Sequence, residues 1–216
     1  MPFETPWEIW WDHNAWYHRR MLEALPDRLD DVLDVGCGAG TLAGRLSERA
    51  RHVEAVDRSP HMVALARALV PANVTVTEAD VTTMPLPPGH YDAITSVSVF
   101  HHLDLAVVLP RLAATLRPGG LLVAVALPRT DLPRDLPVEA VSAVGHRVLG
   151  TAFRVEQAVT GRRRRYAHEA SVGVMPMQDP VLTTAQVRTI ALAALPGVRV
   201  RRLPLWRYEL RWRKPG

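Results

Sequence analysis

Val32-Leu33-Asp34-Val35-Gly36-Cys37-Gly38-Ala39-Gly40-Thr41-Leu42 decides the fold of this 216-residue chain. Four strand-forming residues run into three glycines spaced two apart, and a helix-forming segment follows. Glycine suits a sharp strand-to-helix turn because it reaches positive φ without strain and has no Cβ to block a ligand. The helix that follows opens with backbone N–H groups lacking intrahelical partners, so an anionic or acceptor group can dock there.

Two ligand classes use such a turn. Dinucleotides place a pyrophosphate on it and prefer G-x-G-x-x-G. Here the spacing is G-x-G-x-G, and Asp34 precedes the first glycine by two residues. A carboxylate there repels pyrophosphate and suits a cationic amino-acid group. Asp57 closes the next apolar run, Val53-Glu54-Ala55-Val56-Asp57, at about the ~20-residue spacing of a ribose-binding acid. Acid, glycine turn and second acid together fit a nucleoside that carries an ammonium and no phosphates, as S-adenosylmethionine (SAM) does.

On these residues the sequence resembles the class I SAM-dependent methyltransferases. Asp34 to Gly40 match the family's first motif, and Asp57 the acid of its second. Glu78-Ala79-Asp80-Val81 resembles the adenine-binding third motif. Tyr91 to Val97 is similar to the fourth strand, and Leu116-Arg117-Pro118-Gly119-Gly120-Leu121-Leu122 to the turn into the fifth. The match covers roughly residues 30 to 127, in the family's order. The resemblance implies SAM contacts at Asp34, Gly36, Cys37, Gly38, Gly40, Asp57, Arg58, Met62, Ala79, Asp80, Val81, Ser96 and Val97. It implies S-adenosylhomocysteine as product and no metal, since the carboxylate cluster of metal-dependent relatives is not found.

The expected fold is α/β: a mostly parallel seven-stranded Rossmann-like sheet with helices on both faces and a terminal antiparallel hairpin. Alternating patterns place strands at 31–35, 53–57, 74–78, 91–97 and 121–127, and helices near 41–49, 60–69 and 104–116. Ser59-Pro60 reads as a cap with proline in the first turn. The chain divides into an N-terminal helical lid (1–29), a SAM-binding core (30–127), a substrate-side cap insertion (128–182) and a closing helix with hairpin (183–216). In the insertion, Pro128, Pro133 and Pro137 read as a linker and Val138 to Val159 as a partly amphipathic helix. Thr183-Thr184 caps a helix running through Leu195, and Val198–Leu203 and Trp206–Trp212 alternate as the two closing strands.

The lid is rich in aromatic residues: Trp7, Trp10, Trp11, Trp16 and Tyr17, with His13, Asn14 and His18 among them. Residues 13–22 read as a helix ending near Pro26, whose i, i+4 spacing sets His13 beside Tyr17 and Asn14 beside His18. These aromatics either cover the sheet edge or serve a ligand. Related methyltransferases fold such a helix over the methionine end of SAM, so the resemblance implies Tyr17 and His18 for SAM and His13 on the substrate side. Beyond the fourth strand lie His101 and His102, at the carboxyl end where open α/β sheets bind ligands. The family places the first histidine of such a pair near the transferred methyl, which favours His101. His13, Tyr17 and His101 are therefore the catalytic candidates.

Composition is that of a globular protein, 48% hydrophobic and 22% charged. Cys37 is the single cysteine, so no disulfide forms within the chain and a reducing cytoplasm is expected. No apolar run is long enough for a membrane span, and the N-terminus lacks a basic-then-apolar leader pattern. The net charge of +4 comes from arginine with Lys214 as the one lysine, and Arg162–Arg165 reads as a solvated basic run. The expected partner is a small molecule, with the protein a monomer or homodimer. The aromatic lid suits a flat electron-rich ring; resemblance to similarly sized methyltransferases of specialised metabolism implies a substrate such as the indole carbon of a tryptophan-derived cyclic dipeptide, and O- or N-methylation is equally compatible. A nucleic-acid methyltransferase is the alternative, disfavoured because Ser96-Val97-Ser98-Val99 replaces the Asn/Asp-Pro-Pro-aromatic motif of amino-methylating enzymes. A SAM-binding protein without catalysis is the third reading.

Overall fold

The computed structural model describes residues 13–132, 134–161 and 179–216. Trp7, Trp10, Trp11 and the run Arg162–Arg165 lie outside the described residues, as does the side chain of His13.

In chain order the elements are α1 (His13–Glu23), β1 (Leu29–Val35), α2 (Thr41–Leu46), β2 (Ala50–Asp57), α3 (Pro60–Leu69), β3 (Val74–Glu78) and β4 (Tyr91–Val97). A 3₁₀ turn at Phe100–His102 follows, then α4 (Leu105–Thr115), β5 (Leu116–Ala126), α5 (Leu136–Thr160), α6 (Thr184–Ala194), β6 (Arg199–Leu203) and β7 (Arg207–Arg213). The seven strands form one sheet in the order β3-β2-β1-β4-β5-β7-β6. The first five are parallel, and β7 runs antiparallel to both β5 and β6.

The pleat sorts side chains between two apolar layers, since successive residues of a strand face opposite ways. Leu33, Ile94 and Leu122 join α4 and α6 on one face. Val32, Ala93 and Val123 join α1, α2 and α3 on the other. Tyr17 and Met21 of α1 belong to this second layer, and Met21 is fully buried. The N-terminal helix is therefore part of the core as well as a cover.

Caps fix the helix starts beside the site. Ser59 accepts from the Met62 N–H at 3.4 Å with Pro60 in the first turn, and Asp104 accepts from the Ala106 N–H at 3.0 Å. Thr183 and Gln186 form a reciprocal capping box at α6.

Three expected boundaries are corrected. The fifth strand begins at Leu116 rather than 121, because Leu116 already pairs with Tyr91, and the Arg117–Gly120 segment bulges out before Leu121 pairs with Ala93. The helix expected over 41–49 ends at Leu46. Pro137 is no linker: it lies in the first turn of α5, where its missing N–H has no helical acceptor to lose. No helix among the described residues is long and apolar enough to cross a membrane.

Candidate functional site

At the carboxyl ends of β1, β2 and β4 the glycine turn forms the floor of a cavity. The Gly36 and Cys37 N–H groups both donate to the Val56 carbonyl, at 2.7 and 3.0 Å, which ties the turn to β2. Gly36 has φ 69°, and a Cβ there would lie 2.1 Å from Val99 Cγ2. Glycine is thus required twice over, by dihedral and by space.

Asp34 lies under the turn and is 1% exposed. Its Oδ1 accepts from the Thr95 hydroxyl at 2.7 Å, while its Oδ2 is buried without a hydrogen-bond partner among the described residues. Burial raises this carboxyl to about 7, against the Thr95 bond that favours ionisation. A buried carboxylate oxygen without a donor is costly, and a cationic ligand group in the cavity would remove that cost.

Asp57 closes the opposite rim. Its Oδ2 accepts from the Gly38 N–H and its Oδ1 from the Ser59 N–H, both at 2.9 Å. The carboxylate therefore stands at the cavity with fixed orientation. Asp80 is exposed at the end of the lining, and Thr82 holds its Oδ1 through hydroxyl and N–H at 2.6 and 2.8 Å. Those bonds keep its carboxyl below the usual carboxylate range. Arg58, Met62, Ala79, Val81 and Val97 complete this side.

The roof comes from α1. His18 lines the cavity and is 5% exposed; burial lowers its imidazole to about 3, and its Nδ1 has no hydrogen-bond partner among the described residues. It is a neutral ring. Cys37 also lines the cavity, and burial pushes its thiol well above the ordinary range, so it is not a thiolate at neutral pH.

The structure therefore brings together His18, Asp34, Gly36, Cys37, Gly38, Asp57, Arg58, Met62, Ala79, Asp80, Val81 and Val97. It places four expected residues elsewhere. Gly40 caps α2 at φ 82° and packs beneath Val70, where a Cβ would lie 2.6 Å from Val70 Cγ1. Ser96 is buried within the sheet, its hydroxyl donating to the Val35 carbonyl at 2.9 Å. Tyr17 is 3% exposed in the seam under the β6–β7 turn, its hydroxyl donating to Pro204 O at 2.5 Å. Burial pushes that phenol up to about 12. His101 is stacked against His102 with ring centroids 3.9 Å apart, and it is His102 that lines the cavity. Burial lowers His101 to about 3, helped by His102 and Arg207.

Asn14, Ser98, Val99, His102 and Leu103 line the cavity without having been expected there. Helical spacing gave a signal for Asn14, which lies one turn before His18. Ser98 adopts φ 57°, which no local pattern announces for a serine. Among the described residues no group of three histidine, cysteine or carboxylate side chains is placed to hold a metal ion.

A methyltransferase-domain family matches residues 32–120. An uncharacterized methyltransferase of Mycobacterium tuberculosis is 31% identical over 207 residues, covering 95% of this chain and 98% of that one. Two partial matches carry different names. A demethylmenaquinone methyltransferase of Thermus thermophilus is 37% identical over 119 residues (52% of this chain, 54% of the other). Ribosomal RNA small subunit methyltransferase C of Chromohalobacter salexigens is 37% identical over 163 residues (67% and 47%). A solved structure described as an S-adenosylmethionine dependent methyltransferase, from Listeria monocytogenes, superposes with a TM-score of 0.63 at 15% identity. That match covers 94% of this chain and 97% of the other, and such a likeness speaks for the fold alone.

Proposed function

The chain belongs to the class I SAM-dependent methyltransferases, and we propose that it methylates a small molecule carrying an electron-rich aromatic ring. The observation that carries the site assignment is the buried, donorless Oδ2 of Asp34 beside the glycine turn. In this reading Asp34 takes the ammonium of SAM and Asp57 the ribose hydroxyls. Asp80, Ala79 and Val81 flank the adenine, and the glycine turn lets the backbone approach the methionine end.

SAM supplies an electrophilic methyl on a sulfonium. The chain's own task is alignment and exclusion of water, and alignment alone can supply roughly 7–11 kcal/mol of a transfer barrier. Asn14 and His18 cover the cavity from α1, while Val99 and Leu103 give it an apolar wall. Exclusion of water from the reacting centre favours the loss of charge that accompanies methyl transfer. His18 and His101 hold no proton at neutral pH, yet their lowered basicity makes them weak proton acceptors. Of the His101–His102 pair, His102 is the one that lines the cavity. An acceptor that is already nucleophilic, such as a ring carbon or a phenolate, needs little from it.

The covered cavity supports a small acceptor. The partial relatives named for a quinone and for ribosomal RNA match only part of the chain, and in this reading acceptor choice lies in part with α1, which lines the cavity. The test supplies methyl-labelled SAM with either a metabolite extract or total RNA. The expected result is label in solvent-extractable small molecules. Label confined to acid-precipitable RNA would replace this reading with the nucleic-acid one.

A further inference from the structure

Two strained segments meet at one carboxamide. Ser98, just beyond β4, has φ 57°, and Leu205 and Trp206, in the turn between β6 and β7, have φ 56° and 58°. Non-glycine residues seldom adopt this region unless their surroundings hold them there. The Ser98 hydroxyl donates to Asn14 Oδ1 at 2.7 Å, and Arg207 Nη2 donates to the same oxygen at 3.2 Å. A guanidinium can only donate, so the atom facing it is the amide oxygen, and this fixes how the carboxamide is turned.

Arg207 leads from this point back to the strained turn, where its Nη1 donates to Trp206 O at 3.3 Å. The turn is held from both sides. Ser142 of α5 accepts from the Leu205 N–H at 2.8 Å, and Tyr17 of α1 donates to Pro204 O. Arg202, at the end of β6, pairs with Asp135 and Glu139 at the start of α5. The cap helix is thus joined to the turn, and the turn through Arg207 to the cavity.

The strand order says which end of the cavity this is. Asp57 ends β2 and Asp80 follows β3, on one side of β1, whereas Ser98 follows β4, on the other. With the ribose and adenine on the first side, the amino-acid and sulfonium end lies beneath Asn14.

We propose that Arg207 is a positioning residue: through Asn14 it seats α1 against the reactive end of the cofactor site. The β6–β7 turn and α5 then set the methyl-transfer geometry from outside the cavity. This rests on the reading of the cavity as the SAM site. Arg207 itself touches no reacting atom.

Calorimetry with two probes separates the parts. S-adenosylhomocysteine carries the amino-acid end, and 5′-methylthioadenosine has the same nucleoside without it. Arg207→Met should weaken S-adenosylhomocysteine by about tenfold, as expected for a lost charge-assisted bond, and leave methylthioadenosine within about twofold. Arg207→Lys should recover part of the loss, and Arg207→Met with Asn14→Ala should lose no more than the worse single variant. Ser98→Ala reports on the same clasp if Arg207→Met does not fold. Equal losses for both probes, or no loss for either, would overturn the proposal. Failure of the wild-type protein to bind S-adenosylhomocysteine would instead overturn the assignment of the cavity.

Discussion

At neutral pH the Asp34 carboxyl is near its own midpoint, because burial has raised it from the ordinary 3.8 to about 7. A ligand ammonium group needs the ionised form, so S-adenosylhomocysteine should bind about tenfold more tightly at pH 8 than at pH 6. Calorimetry in buffers of different ionisation enthalpy should register the released proton. Asp34→Asn should bind weakly and without this pH dependence; an unchanged pH profile in that variant would remove Asp34 from the ligand. Without ligand the sign reverses. The folded state holds the Asp34 proton where the unfolded chain has lost it, so this residue's contribution falls as pH rises from about 4 to about 7. Gly36 gives a second test. Gly36→Ala forces a Cβ to within 2.1 Å of Val99 Cγ2 at φ 69°, and should cost about 1–3 kcal/mol of stability by denaturant titration. Adding Val99→Ala should return part of it, as a purely dihedral penalty would not.

Among the elements, α1 departs furthest from what its sequence announced. The aromatic cluster reads as a ligand-facing lid ahead of a sheet cover, yet Tyr17 and Met21 are packed in the core while Asn14 and His18 line the cavity. Tyr17→Phe should therefore cost about 1 kcal/mol in thermal or chemical unfolding and change kcat little. A collapse of kcat at unchanged stability would restore Tyr17 to the catalytic candidates. The first three parallel strands were legible because a glycine or an acid marks the end of each, and β3 and β4 fall on the expected residues. The cavity lining after β1, β2 and β3 was legible because its residues lie at strand ends. The lining after β4 was less so. His102 rather than His101 faces the cavity because the 3₁₀ turn at Phe100–His102 rotates the pair, and the sequence has no marker for that turn. Arg207 and Asn14 are far apart in the chain and meet only through the sheet order, which a local pattern cannot express.

For the molecule as a whole, acid is the expected weakness. Burial holds His18 and His101 neutral down to about 3, whereas the unfolded chain protonates histidine below about 6.5. At these two sites the unfolded state binds more protons between those values, so their joint contribution is lost as pH falls through that window and exceeds the single opposing gain at Asp34. The melting temperature should drop by on the order of 5 °C between pH 7 and pH 5, and His18→Gln with His101→Gln should flatten the fall. An equally steep fall in the double variant would place the acid sensitivity elsewhere.

The position of β7 between β5 and β6 also bears on how the protein is made. β5 ends at Ala126, but the strand that pairs with its far edge begins only at Arg207. At about 5–20 residues per second, the ribosome needs roughly 4–16 s to add the intervening segment. Throughout that interval the nascent chain carries an unpaired, apolar edge in what will be the middle of its sheet, a template for pairing with neighbouring chains. Yield of this protein in a cell should therefore depend on translation speed and on chaperones that shield extended segments.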